Sequence, residues 1–139
     1  MRRCLIVANQ TLTGPHLMAE VLARQAREPY DFHIVVPATH LNTSGTWTEG
    51  EAITHARTVL ADALEYFADA GVPASGEVGD ENPVYAVGDA MNRQHFDEII
   101  ISTLPPGASK WLKRDLPHRL ARRYGVNVTH VVATPEPAD

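Results

Sequence analysis

The chain has one cysteine, Cys4, among 139 residues. One thiol cannot close an internal disulfide, make a Cys-x-x-Cys redox pair or build a cysteine-rich zinc site. Long apolar runs are also missing. Met1–Asn9 carries too few apolar residues for a secretory h-region, and no later segment reaches the ~18 that a membrane span needs. There is no Walker A sequence, no Gly-x-Gly-x-x-Gly and no Gly-x-Ser-x-Gly. Positive charge is scarce too: 12 Lys and Arg stand against 17 Asp and Glu, a formal net charge of -5. That balance argues against a protein that coats nucleic acid. What is left is a soluble, cytoplasmic domain with no membrane contact. The whole of 1–139 reads as a single domain, long enough for one ordinary core and too short for two.

What is present is an alternation of short apolar runs and helical patterns. Cys4 to Ala8 is wholly apolar and reads as a strand buried on both faces. Pro15 suits a helix's first turn, and Leu17, Met18, Val21, Leu22 and Gln25/Ala26 recur at helical spacing until Pro29. A second strand runs from Phe32 to Val36, followed by Pro37. Thr48 and Glu51 fit a capping box. The helix they open places Ile53, Ala56, Val59, Leu60, Ala63, Leu64 and Phe67 on one stripe and ends at Gly71. Val72 to Val78 reads as a short edge strand. Asn82-Pro83 starts a helix that carries Val84, Val87, Ala90 and Met91. Phe96 to Ser102 is a strand, Asp115 caps a helix bearing Leu116, Leu120 and Tyr124, and Val126 to Ala133 is the last strand. The tail 134–139 is expected to fray. This βαβαβαβαβ order predicts an α/β fold with a parallel sheet, helices on both faces and right-handed crossovers. Ligands in such folds bind beyond the carboxyl ends of the strands, where the strand order reverses. That rule selects 9–14, 37–40 and 102–107.

Three segments in series resemble the universal stress protein family. They are Leu5-Ile6-Val7-Ala8 with its polar loop, the Gly79-Asp80-Glu81-Asn82-Pro83 turn, and Phe96-Asp97-Glu98-Ile99-Ile100-Ile101-Ser102. The last is followed by a glycine-containing loop, a helix and the strand from Val126 to Val132. The resemblance implies a three-layer αβα fold with strand order 3-2-1-4-5, a homodimer formed through the last strand and, in some members, an adenine nucleotide. The ATP-binding members carry Gly-x2-Gly-x9-Gly-Ser/Thr after the fourth strand. Those positions here are Ile101, Leu104, Arg114 and Asp115, and none matches. Glycines let backbone approach a phosphate, and a helix N-terminus then offers it free N–H groups. An Asp115 carboxylate capping that helix would occupy those groups and repel the anion. ATP held in the family's triphosphate manner is therefore disfavoured, while a nucleoside, a monophosphate or a cyclic nucleotide stays open.

The candidate ligand-binding residues are Asn9, Thr11, Pro37, His40, Ser102, Thr103, Gly107, Ser109, Lys110 and Arg114. Relatives that bind nucleotide usually carry Asp where Asn9 stands; an amide can bond a base or ribose without adding charge. The same residues also fit a loop stiffened by Pro105-Pro106 whose cations are solvated. Val126, Val128, His130 and Val132 alternate on one face of the last strand and are candidates for the dimer interface, although an inward face of one subunit would alternate in the same way. The seven histidines show no metal-ligand spacing, so no metal site is expected. Lys110, Lys113, Arg114, Arg119, Arg122 and Arg123 are half of the twelve Lys and Arg. They read as an anion-binding rim, a contact for an acidic partner or a solvated helix face. No aromatics are interleaved with them to stack bases. A receiver domain shares the alternation but needs acidic residues where Asn9-Gln10 stands. Three functions follow: a binding or regulatory homodimer with no catalytic activity, a small enzyme acting on an anionic or phosphorylated metabolite, or a ligand-free interaction module presenting the basic helix.

Overall fold

The computed structural model describes residues 1–39, 48–105 and 115–133. The chain runs β1 (Arg2–Val7), α1 (Pro15–Arg27), β2 (Tyr30–Pro37), α2 (Glu49–Asp69), β3 (Ala74–Gly79), α3 (Pro83–Arg93), β4 (Glu98–Thr103), α4 (Leu116–Tyr124) and β5 (Asn127–Val132). The five strands form one sheet in the order β3-β2-β1-β4-β5, and every pairing is parallel. This is the expected α/β architecture and strand order. β2 starts at Tyr30 and includes Pro37, which needs no amide partner at a strand's last position. β4 starts at Glu98, so Phe96 belongs to the approach to the strand.

Side-chain alternation sorts the core into two layers. Cys4, Ile6 and Ala8 pack with Leu17, Met18 and Val21 of α1 and with Ala56, Ala63 and Phe67 of α2. Leu5, Val7 and Val35 pack on the other face with Val84, Val87 and Ala90 of α3 and with Leu116 and Leu120 of α4. The central strands are buried on both faces, which is why they read as unbroken apolar runs. On α1 the expected stripe is displaced: Leu22 is exposed and Arg24 is buried. Arg24 turns inward because its guanidinium meets Glu98 at 2.6 Å and Thr129 at 2.9 Å beneath the helix.

The caps differ from one helix to the next. Thr48 Oγ1 accepts from Glu51 N–H and Asn82 Oδ1 accepts from Val84 N–H, as the sequence indicates. Gly71 ends α2 with φ +80°, in the left-handed region that favours glycine. Asp115 is a correction. Its backbone lies in the left-handed region, and its side chain makes no cap bond to α4. The carboxylate instead faces His118 Nδ1 at 2.9 Å.

Gly79 sets how closely α3 follows β3. A Cβ there would lie 2.7 Å from Ala86 Cβ and 3.1 Å from Val35 Cγ1, both on packed elements that cannot swing aside. Gly79→Ala is expected to destabilise the chain by about 1–3 kcal/mol, read from urea unfolding midpoints.

Candidate functional site

β1 is flanked by β2 on one side and by β4 on the other, and the chain turns from one half of the sheet to the other between β1 and β4. At this point neighbouring crossovers leave toward opposite faces, so the carboxyl ends of β1 and β4 are left to form a crevice. The loop after β1 enters it. Gly14 N–H donates to Thr11 O at 3.1 Å, a tight turn that leads into α1 and brings Thr11 over the end of β4. Thr11 Oγ1 and Ser102 Oγ lie 2.6 Å apart, both buried, and tie the two sides together.

Asn9 is the most informative residue in the crevice. It is 5% exposed. Its Nδ2 donates to Pro37 O at 2.8 Å, which joins the ends of β1 and β2. A backbone carbonyl only accepts, so the amide nitrogen must face it and the orientation of the side chain is fixed. Oδ1 is thereby left as an acceptor. It is buried, and it has no hydrogen-bond partner among the described residues. Native proteins rarely leave such an atom unmet.

On the other face of β4, Thr103 Oγ1 lies 2.8 Å from His130 Nε2 of β5. Partial burial holds the His130 imidazole below its ordinary pKa and so favours the neutral ring. Thr39 Oγ1 donates to Glu81 O at 3.2 Å, closing the outer margin near β3. The described floor is thus built from an amide, hydroxyls and a neutral imidazole, and it carries no formal charge.

The structure brings Asn9, Thr11, Pro37, Ser102 and Thr103 together at the strand ends. His40, Gly107, Ser109, Lys110 and Arg114 lie outside the described residues. His130 joins the site through Thr103. Val126 and Val128 are half-buried and pack on the α3/α4 layer, and Val132, in register with Thr103, shares their face of the sheet. The alternation at 126–132 therefore reports, at least in part, packing inside one subunit. The His130–Thr103 contact escaped the sequence reading because it depends on the register of two strands that a helix separates in the chain. Their shared position near strand ends was the only available signal.

Comparison with solved structures agrees with this geometry. A protein of the universal stress protein family from Burkholderia pseudomallei superposes with a TM-score of 0.65 at 16% identity, covering 92% of this chain and 93% of that one. A universal stress protein from Archaeoglobus fulgidus gives 0.64 at 12%, covering 94% and 98%. A universal stress protein family protein from Arabidopsis thaliana, solved with AMP bound, gives 0.63 at 9%, covering 100% and 97%. A scan of protein-family models and a search of curated proteins return no match. The chain is an α/β protein with crossovers on both faces of a parallel sheet. More particularly, it has the universal stress protein fold over nearly its whole length.

Proposed function

We propose that the chain is a universal-stress-protein-like binding or regulatory protein whose strand-end crevice takes an adenine nucleoside or its monophosphate. The observation that carries this reading is Asn9 Oδ1, a buried acceptor with fixed orientation and no partner among the described residues. It suits a ligand that presents an N–H or O–H donor, which an exocyclic amine or a ribose hydroxyl supplies. The uncharged floor suits the nucleoside portion. The AMP held by the Arabidopsis protein of the same fold supports the ligand class. In this reading Ser109, Lys110 and Arg114, with the backbone at Gly107, receive the phosphate. The side chain of Asp115 is turned to His118 and makes no cap bond to α4, which removes one obstacle to an anion there. The protein acts as a homodimer through β5, which among the described residues pairs only with β4.

A thermal-shift series tests the reading. AMP and adenosine at about a hundred times their dissociation constant should stabilise the folded chain by about 2.7 kcal/mol. Asn9→Ala should weaken both ligands by about 10- to 100-fold, the range for losing one buried acceptor's bond. Lys110→Ala should weaken AMP and leave adenosine unchanged. If neither ligand moves the melting temperature at millimolar concentration, the proposal fails.

A further inference from the structure

The edge strand β3 carries a cluster that the crevice does not use. Ser75 and Glu77 lie two residues apart on one face of β3, and His33 is in register with Ser75 on β2. His33 is 6% exposed and stacks on Phe96 at 5.9 Å between ring centres. Its Nε2 lies 3.0 Å from Glu77 Oε1, and its Nδ1 lies 2.7 Å from Ser75 Oγ. Glu77 is also paired with Arg93 of α3.

With the imidazole neutral and Glu77 a carboxylate, the proton positions follow from these contacts. A carboxylate only accepts, so Nε2 carries the hydrogen toward Glu77. In the neutral ring Nδ1 is then a lone pair, and Ser75 O–H must donate to it. The exposed Ser75 hydroxyl is thereby left with its proton directed into the protein and, among the described residues, its oxygen lone pairs free. Hydroxyl, imidazole and carboxylate in hydrogen-bonded series are the parts of an activated nucleophile, recognised by geometry and roles and not by sequence position. The two ring nitrogens are exchanged relative to the serine-protease arrangement, but an imidazole can take a proton at either. Among the described residues β3 pairs only with β2. Ala38 N–H donates to Gly79 O, so the odd-numbered residues of β3 turn their backbone toward β2 and the even-numbered ones toward the open edge. The Gly76 N–H, one residue after Ser75, is therefore presented at that edge as a donor for a developing oxyanion.

We propose that Ser75 is a nucleophilic site that accepts acyl groups from activated esters and thioesters, with His33 as general base and Glu77 as its positioning residue. Ser75 Oγ forms a bond to the acyl carbon while its proton moves to His33 Nδ1. The bond from the acyl carbon to the leaving oxygen or sulfur then breaks, and the proton passes to the departing atom. Water, deprotonated by the same imidazole, cleaves the acyl-serine and regenerates the hydroxyl. The site stands on the β3 edge, far from β5, and does not depend on the ligand of the crevice.

The full chain should be treated with p-nitrophenyl acetate and, separately, with a fluorophosphonate, and the modified residue located by peptide mass spectrometry. The expected result is one adduct at Ser75, absent in Ser75→Ala. In Glu77→Gln, whose folding is checked by its melting curve, the rate of modification should fall by about a hundredfold. Ser75 labelled no faster than the chain's other serines would overturn the proposal. So would a rate at Ser75 that Glu77→Gln leaves unchanged.

Discussion

Glu98→Ala is expected to cost about 3–5 kcal/mol of stability, the range for removing one partner of a buried ion pair. The Glu98 side chain is 6% exposed. Arg24 Nε donates to its Oε1 at 2.6 Å, and Arg2 Nη2 and Tyr30 OH donate to its Oε2 at 2.8 and 3.0 Å. Arg24 is further held by Glu20 at 2.7 Å. Without the carboxylate, a buried guanidinium loses its main counter-charge and the Tyr30 hydroxyl loses its acceptor. Burial alone would raise the Glu98 pKa, but the hydrogen bonds from Arg24, Arg2 and Tyr30 outweigh it and hold the group below the ordinary glutamate value. The sign of the pH dependence follows. A depressed folded pKa contributes stability that is fully present above the unfolded value of about 4.3 and is lost as the pH falls through the folded value. Glu98→Gln should therefore differ most from the parent near neutral pH, and the gap should narrow in acid. Urea titrations at several pH values measure it. The cluster sits at the amino ends of the strands, so the crevice should keep its form in any variant that still folds.

Phe67→Ala should be comparably severe. Phe67 is fully buried between α2 and the sheet, and removing a buried phenyl ring costs about 3–5 kcal/mol through lost transfer energy and the cavity left behind. For a chain of this size that corresponds to a melting temperature lower by about 10–17 °C. Tyr85→Ala is the matched control. Tyr85 is 62% exposed on α3, and its removal should change stability by no more than about 0.5 kcal/mol. A large effect at Tyr85 would mean that α3 is covered in solution by a surface that one chain does not reveal.

These two positions mark what was legible in the sequence. Phe67 stands on an apolar stripe of helical period opened by Thr48 and closed by Gly71, so its burial follows from local pattern alone. Glu98 and Arg24 each interrupt such a pattern. Their burial depends on β1 lying beside β4 with α1 above both, a tertiary fact that no window of sequence contains. The same division holds in the crevice. Asn9, Thr11, Pro37, Ser102 and Thr103 were legible because strand ends at a reversal of strand order converge whatever the side chains are. The fixed amide of Asn9, the Thr11–Ser102 contact and the Thr103–His130 contact were not, since each depends on rotamers and register across separate strands. Asp115 shows a limit of cap rules. The residue type was right for an N-cap, but a left-handed backbone turned its carboxylate to His118.

Titration of the isotopically labelled chain with AMP, followed by amide NMR, tests the nucleotide reading most directly. Saturable shifts centred on the amides of Asn9, Thr11, Ala38, Ser102 and Thr103, and weakened in Asn9→Ala, are expected. Unchanged amides at these positions with millimolar AMP, or shifts confined to another part of the sheet, would contradict it.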